Sequence, residues 1–250
     1  MKLSATKIKL HNEAIALVES DKKLTHEECM FILENFQESA NHLNSVAGAF
    51  FTPVELAMDF AYEIPKEAKI VDLCAGIGAL AYFAYHFNNA KEITCVELNP
   101  DYIKIGKRIL PEATWVQADA LEFTSESIFD VAISNPPFGN IKTSSSQKKK
   151  YRGGKFEYKL IEQASHIAKH GIFIIPQAST GFQYSGCQSY TEIANLHLQH
   201  FSNDTGIDLD CGSLDTSIYL NDWKGVKPVC EVVTCTFKNA VSQNSFALIG

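Results

Sequence analysis

Six consecutive residues, Ser134-Asn135-Pro136-Pro137-Phe138-Gly139, put a carboxamide, two imino acids and an aromatic ring side by side. A carboxamide oxygen and a fixed backbone carbonyl can each accept one N–H of a planar amine. The prolines stiffen the turn and fix where the Pro136 carbonyl points. Phe138 offers a face on which a base turned out of its helix can stack. The chemistry that needs this set is substitution at an exocyclic amine such as adenine N6, whose lone pair is delocalised into the ring. Two acceptors can hold the amine while its nitrogen moves toward tetrahedral geometry. Such catalysis works by positioning and directed hydrogen bonds, with no metal and no covalent enzyme intermediate required.

A second constellation lies upstream. Val71-Asp72-Leu73-Cys74-Ala75-Gly76-Ile77-Gly78 runs from an apolar strand into a glycine turn, where a ligand can approach backbone closely. Glu97 ends the next strand and can accept hydrogen bonds from ribose hydroxyls. Asp119, after the third strand, can accept one from an adenine amino group. Together they describe a nucleoside pocket. Gly76-Ile77-Gly78-Ala79-Leu80-Ala81 also fits the dinucleotide pattern G-x-G-x-x-A, with an acidic residue about 20 positions on, which would suit NAD. Asp72 weighs against NAD: a carboxylate just before the turn repels a pyrophosphate but suits the ammonium of S-adenosylmethionine.

The elements that must position these groups alternate. Strands are expected at Ile70–Leu73, Ile93–Glu97, Thr114–Gln117, Phe129–Ser134 and Gly171–Ile175. Helices are expected from Gly78 to about Phe87, over Asp101–Leu110 and over Phe156–His170. This order implies a parallel sheet with helices on both faces. Ser217–Leu220 and Val229–Phe237 read as a hairpin adding antiparallel strands at the edge. Ahead of the sheet, Ala14, Ile15, Leu17 and Val18 mark one helix, and Thr25 with Glu28 has capping-box spacing for a second. Residues 1–47 thus read as a helical cap and 48–250 as the main domain. In Phe50-Phe51-Thr52-Pro53-Val54-Glu55, Thr52 suits an N-cap, Pro53 the first helical position and Glu55 a capping box, with a helix to about Tyr62.

Composition sets bounds. The chain has 250 residues, 46% hydrophobic, and a net charge of -7, which weighs mildly against a protein coated in nucleic acid. A local basic patch exists all the same: Lys148, Lys149, Lys150, Arg152 and Lys155 follow the Asn135 motif, after Ser144-Ser145-Ser146-Gln147. It reads either as a solvated loop or as a grip on substrate phosphates. No apolar run approaches the roughly 18 residues of a membrane span. Met1–Leu10 lacks the apolar centre of a secretion signal. Seven cysteines without a C-x-x-C pair fit free thiols in a reducing cytoplasm. His166 with His170, and His197 with His200, stand one helical turn apart, but no further ligands are arranged for a metal. Phe182, Tyr184 and Tyr190 read as packing residues that can also face a base.

Asp72–Gly78, Glu97, Asp119 and Asn135-Pro136-Pro137-Phe138 resemble motifs I to IV of class I S-adenosylmethionine-dependent methyltransferases. Phe50-Phe51-Thr52-Pro53 resembles their motif X. The order, X before I before IV, is similar to the gamma group of N6-adenine DNA methyltransferases, including the modification subunits of restriction systems. The resemblance covers about Gly48 to Phe138. It implies a Rossmann-like, mostly parallel seven-stranded sheet and S-adenosylmethionine as cofactor. Its implied cofactor-binding residues are Phe51, Thr52, Pro53, Asp72, Ala75, Gly76, Gly78, Glu97, Leu98, Asp119, Ala120 and Asn135. Asn135, Pro136, Pro137 and Phe138 are the implied catalytic set. The expected substrate is adenine in DNA rather than RNA. One departure stands out: DNA enzymes of this group carry a large target-recognition domain after the core, where only Asn140–Gly250 follow here. Target reading is then short, or supplied by a partner subunit, or the substrate is not duplex DNA. Similar N-P-P-[FY] motifs serve adenine in ribosomal RNA, guanine N2 in RNA and a glutamine side chain in release factors. A non-catalytic nucleic-acid-binding subunit is the alternative outside enzymes.

Overall fold

The computed structural model describes residues 4–37, 50–141 and 149–238. Lys148, the serines at 144–146 and Gly48-Ala49 lie outside these residues. Five strands come first along the chain: β1 (Lys69–Leu73), β2 (Glu92–Glu97), β3 (Thr114–Gln117), β4 (Phe129–Ser134) and β5 (Ala168–Pro176). Four more follow: β6 (Phe182–Gln183), β7 (Thr191–Glu192), β8 (Asp210–Cys211) and β9 (Cys230–Thr236). Seven of them form the central sheet, in the order β3-β2-β1-β4-β5-β9-β8. β1 to β5 run parallel, and β9 pairs antiparallel with both β5 and β8. β6 and β7 pair as a small separate ribbon.

Helices α1 (Ala5–Glu19), α2 (His26–Asn35), α3 (Val54–Phe60), α4 (Ala79–Asn88) and α5 (Pro100–Ile109) share one hydrophobic core with one face of the sheet. Ile70, Ile93, Ile133 and Ile172 supply the sheet side of that core. α6 (Phe156–Ala164) and Phe201 of α7 (Leu196–Thr205) cover the other face, against Val71, Leu73, Ala132 and Phe173. Burial on both faces explains why the inner strands are continuous apolar runs rather than alternating ones. Thr25 and Glu28 form the expected capping box at α2.

The N-terminal helices are fastened to the main body. Arg108 on α5 donates to the carbonyls of Val18 (3.1 Å), Ser20 (2.7 Å) and Lys22 (2.6 Å). Lys224 donates to the carbonyls of Leu33 (2.9 Å) and Phe36 (2.7 Å) at the end of α2. A charged donor on a helix's last carbonyls replaces the water those groups would otherwise hold.

Three expectations are corrected. The helix expected over Phe156–His170 stops at Ala164, where Ser165 turns its hydroxyl onto the Glu162 carbonyl (2.6 Å). Ala168 to His170 instead extend β5, so His166 and His170 do not share a helix face. Ser217–Leu220 is not a strand: Thr216–Tyr219 is a 3-10 turn capped by Asp215, which accepts from Ser217 N–H (2.9 Å). The outer partner of β9 is β8. Thr52 does not cap α3. Pro53 occupies the cap position, and among the described residues no side chain caps the helix.

Candidate active site

The chain bends sharply after β1. Cys74 (φ 61°), Gly76 (φ 57°) and Gly78 (φ 92°) all take left-handed conformations within five residues. Only glycine adopts these freely, so the non-glycine Cys74 marks stored strain of the kind that clusters at functional sites. At Gly76 a side chain would also press on the Phe51 ring, 3.2 Å from where its Cβ would lie. The turn is pinned from β2. Ala75 N–H donates to the Val96 carbonyl (3.0 Å), and Gly76 N–H donates to Glu97 Oε2 (2.8 Å). Glu97 Oε1 accepts from the N–H groups of Leu98 (2.9 Å) and Asn99 (2.8 Å). Three of roughly four carboxylate acceptor positions are therefore taken, which leaves room on Oε2 for about one hydroxyl. Burial raises the Glu97 pKa, opposed by these three donors.

Asp72, the next-to-last residue of β1, is fully buried. Burial pushes its pKa well up, against a hydrogen bond from the Ala81 N–H and with the Glu97 charge adding to the rise. Its Oδ2 is a buried oxygen with no hydrogen-bond partner among the described residues. Such an atom is costly unless something pairs with it. Asp72 lines a cleft with Phe50, Phe51, Thr52, Cys74, Gly76 and Asn135. Leu33 of α2 lines it as well. In the sequence Leu33 is only one apolar position on a helix face, and nothing marks it as part of a site.

Asn135 follows β4 at the same end of the sheet. Its Nδ2 donates to the Phe50 carbonyl (3.0 Å) and to Thr52 Oγ1 (3.0 Å). A carbonyl can only accept, so the atom facing Phe50 must be the amide nitrogen. That fixes the side chain's orientation and turns Oδ1 the other way, buried and without a hydrogen-bond partner among the described residues. Thr52 and Asn135 are 83 positions apart, and the Phe51-Thr52-Pro53 segment thus aims the amide. Ser134 anchors the same strand end by donating its hydroxyl to the Leu73 carbonyl. Pro136 is buried, while Pro137 and Phe138 are half-buried, with Phe138 packed on the core.

The remaining expected residues fall at the same edge or beside it. Asp119 is half-buried and its Oδ1 accepts from Leu121 N–H (2.8 Å); Ala120 is buried next to it. Leu98 is 65% exposed, an apolar side chain left open beside Glu97. The basic cluster divides. Lys150 and Arg152 are exposed. Lys149 turns inward: its Nζ is buried without a hydrogen-bond partner among the described residues, and burial lowers its pKa against the charges of Glu162, Glu122 and Asp119. Lys155 donates to Ser179 Oγ (2.7 Å) and lies 5.7 Å over the Tyr158 ring. Phe182 is buried and stacks on the half-exposed Tyr190. Among the described residues no three metal-ligating side chains come together, and no helix is long and apolar enough to cross a membrane.

Ligands of open parallel sheets bind beyond the carboxyl ends of the strands, where the strand order reverses. Here that point lies between β1, which carries Asp72, and β4, which Asn135 follows. This sheet, with its antiparallel β9 and helices on both faces, is the fold of class I S-adenosylmethionine-dependent methyltransferases. Residues 56–174, just under half of the chain, match the model of the Methyltransferase small domain. Among solved structures, the chain resembles a putative class I S-adenosylmethionine-dependent methyltransferase from Listeria monocytogenes. That match has TM-score 0.57 and 15% identity, over 94% of this chain and 81% of that one. It also resembles the type I restriction-modification methyltransferase subunit from Streptococcus thermophilus. There the TM-score is 0.53 and the identity 12%, over 87% of this chain and 51% of that one, so the likeness spans about half of that subunit. No curated protein matches the sequence. The family match and the fold support S-adenosylmethionine as cofactor and methyl transfer as the chemistry.

Proposed function

We propose that the protein transfers the methyl group of S-adenosylmethionine to the N6 amine of adenine in DNA. The observation that carries this reading is the Asn135 amide. Its nitrogen is committed to Phe50 and Thr52, its oxygen is buried without a hydrogen-bond partner among the described residues, and the residue lines the cleft. An amide fixed this way is an acceptor waiting for an N–H donor. The second acceptor is the Pro136 carbonyl, stiffened by Pro137. DNA is favoured by motif order, with Phe51-Thr52-Pro53 ahead of the glycine turn and Asn135 to Phe138 after it. A partner subunit that reads the target sequence belongs to the same proposal.

The residues present fit the cofactor. The buried Asp72 Oδ2 would pair with its ammonium, the open acceptor position on Glu97 would take a ribose hydroxyl, and Asp119 would take the adenine amino group. Exposed Leu98 and buried Ala120 would flank the adenine ring, and Phe51 with Pro53 the methionine end. When bound, the cofactor supplies a methyl carbon activated by a sulfonium. Asn135 and Pro136 hold the amine in line with that carbon, and Phe138 stacks on the base. The amine nitrogen forms the new N–C bond as the S–C bond breaks, and then releases one proton.

The test is methyl transfer from radiolabelled S-adenosylmethionine to duplex DNA, single-stranded DNA, ribosomal RNA and a protein extract, with the labelled product identified. Label in N6-methyladenine from DNA is the expected result. Label confined to RNA or to glutamine would overturn the substrate while keeping the chemistry. A second expectation concerns Lys150 and Arg152, the exposed members of the basic cluster. Reversing both charges should weaken DNA binding and reduce the slope of log affinity against log salt by about 1 to 2, roughly 0.9 for each phosphate that is no longer neutralised. An unchanged slope in a salt titration would make the loop a solvated one.

A further inference from the structure

The helix after the basic loop carries a carboxylate that none of the steps above uses. Glu157, in the first turn of α6, is 0% exposed. Its Oε2 accepts from the Gly139 N–H (2.9 Å), and its Oε1 accepts from the Ser179 hydroxyl (2.7 Å). The Lys155 ammonium lies 3.8 Å from Oε1 and donates to Ser179 Oγ. The Gly139 carbonyl accepts from Phe156 N–H (2.8 Å), and Asn140 bridges to Lys155. Both polar backbone groups of Gly139 are therefore held by α6. Gly139 directly follows Phe138 and takes a left-handed φ of 84°. The N-P-P-F segment is fixed at one end by β4 and at the other by this carboxylate. The loop bearing Lys150 and Arg152 leaves and returns at the same point.

We propose that Glu157 is a positioning residue for amine methylation. It holds the far end of the Asn135–Phe138 segment through Gly139, and it ties that segment to the Gln177–Ser179 turn through Ser179. The proposal rests on the reading that Asn135 and Phe138 present the acceptor base. A full negative charge on a backbone N–H makes a shorter, stronger hydrogen bond than a neutral acceptor does. Ser179 and Lys155 keep the carboxylate from turning away. Load on the basic loop, as from a bound phosphate backbone, would then reach the catalytic segment through one shared anchor.

The test compares Glu157→Gln with Glu157→Met in the full chain. Gln keeps an acceptor for Gly139, while Met fills similar volume and leaves the Gly139 N–H unpaired. Turnover is counted per S-adenosylmethionine-binding site measured by calorimetry, on the nucleic acid that the wild-type protein labels. Glu157→Met should lower kcat on the order of thirtyfold, with cofactor affinity and acceptor KM within about threefold of wild type. Glu157→Gln should recover most of the loss. Hydrogen exchange at the Gly139 amide should quicken in the Met variant and stay slow in the Gln variant. Equal kcat in all three proteins overturns the proposal, as does cofactor affinity falling in step with turnover. If the wild-type protein labels no nucleic acid, the adenine reading falls. The exchange at Gly139 then decides the anchor alone, and an unchanged rate in Glu157→Met sinks it.

Discussion

Asn135→Ala is expected to bind S-adenosylmethionine within about threefold of wild type and to turn over on the order of a thousandfold more slowly, the scale seen when one preorganised polar group facing a reacting atom is removed. The two effects separate because the side chain has two ends with different tasks. The nitrogen end meets Phe50 and Thr52, and its removal slackens a junction that other packing also supports. The oxygen end meets no hydrogen-bond partner among the described residues, so its removal is felt when the acceptor amine arrives. Asn135→Asp sharpens the test. A carboxylate keeps an acceptor toward the amine but sets a second oxygen against the Phe50 carbonyl, which repels it. That variant should also be slow, by disorder rather than by absence of an acceptor. Single-turnover rates with saturating cofactor measure both. Alanine at 135 with wild-type rates would end the proposed mechanism.

Asp72→Asn should weaken S-adenosylmethionine binding on the order of a hundredfold, the scale for losing one partner of a desolvated charge pair. The cofactor-free protein should respond the other way. Burial raises the Asp72 pKa in the folded chain above its unfolded value. A carboxyl shifted in that direction favours folding below its unfolded pKa, and the advantage is lost as pH rises through the folded pKa. Asparagine never takes the charge, so cofactor-free Asp72→Asn should melt no lower than wild type at neutral pH. A bound ammonium stabilises the carboxylate form. Wild-type affinity should therefore rise with pH through the raised pKa and level off above it. Within that window binding should release protons, seen as a calorimetric enthalpy that varies with the buffer's ionisation enthalpy. Proton release that persists unchanged in Asp72→Asn would remove this carboxylate from the ammonium contact.

Much of the fold, and the placement of the candidate site on it, was legible in the sequence for physical reasons. The strands at Thr114–Gln117 and Phe129–Ser134 fall where the sequence puts them, and the other three parallel strands lie within a few residues of theirs. β1, β2 and β4, buried over most of their length, leave dense apolar runs that little else produces, whereas β3 at the sheet edge stays half-exposed. Asp72, Glu97 and Asn135 stand at the carboxyl ends of their strands, the edge where ligands of open parallel sheets bind. The errors share the opposite cause. β8 has two residues, too few for any periodicity, while Thr216–Tyr219 has strand-like composition but obeys Asp215. His166 and His170 look like a helical pair until β4 and β9 claim residues 168 to 170 as sheet. Thr52 has the composition of a cap, but a side chain 83 positions away uses its hydroxyl instead. Leu33 and Glu157 carry no local sign at all, since each matters through what the fold brings beside it.

The strand order has a consequence for how the chain is made. β8 precedes β9 in sequence but lies outside it, so β9 must enter between β5 and β8. Until residue 236 has left the ribosome, the long edge of β5, from Ala168 to Pro176, has no antiparallel cover. An exposed apolar edge of that length is a template for another chain. The nascent protein therefore exposes this edge after its glycine turn and Asn135 have already emerged. Slowing synthesis between β5 and β9 would lengthen that exposure, whereas the same delay ahead of β5 would not.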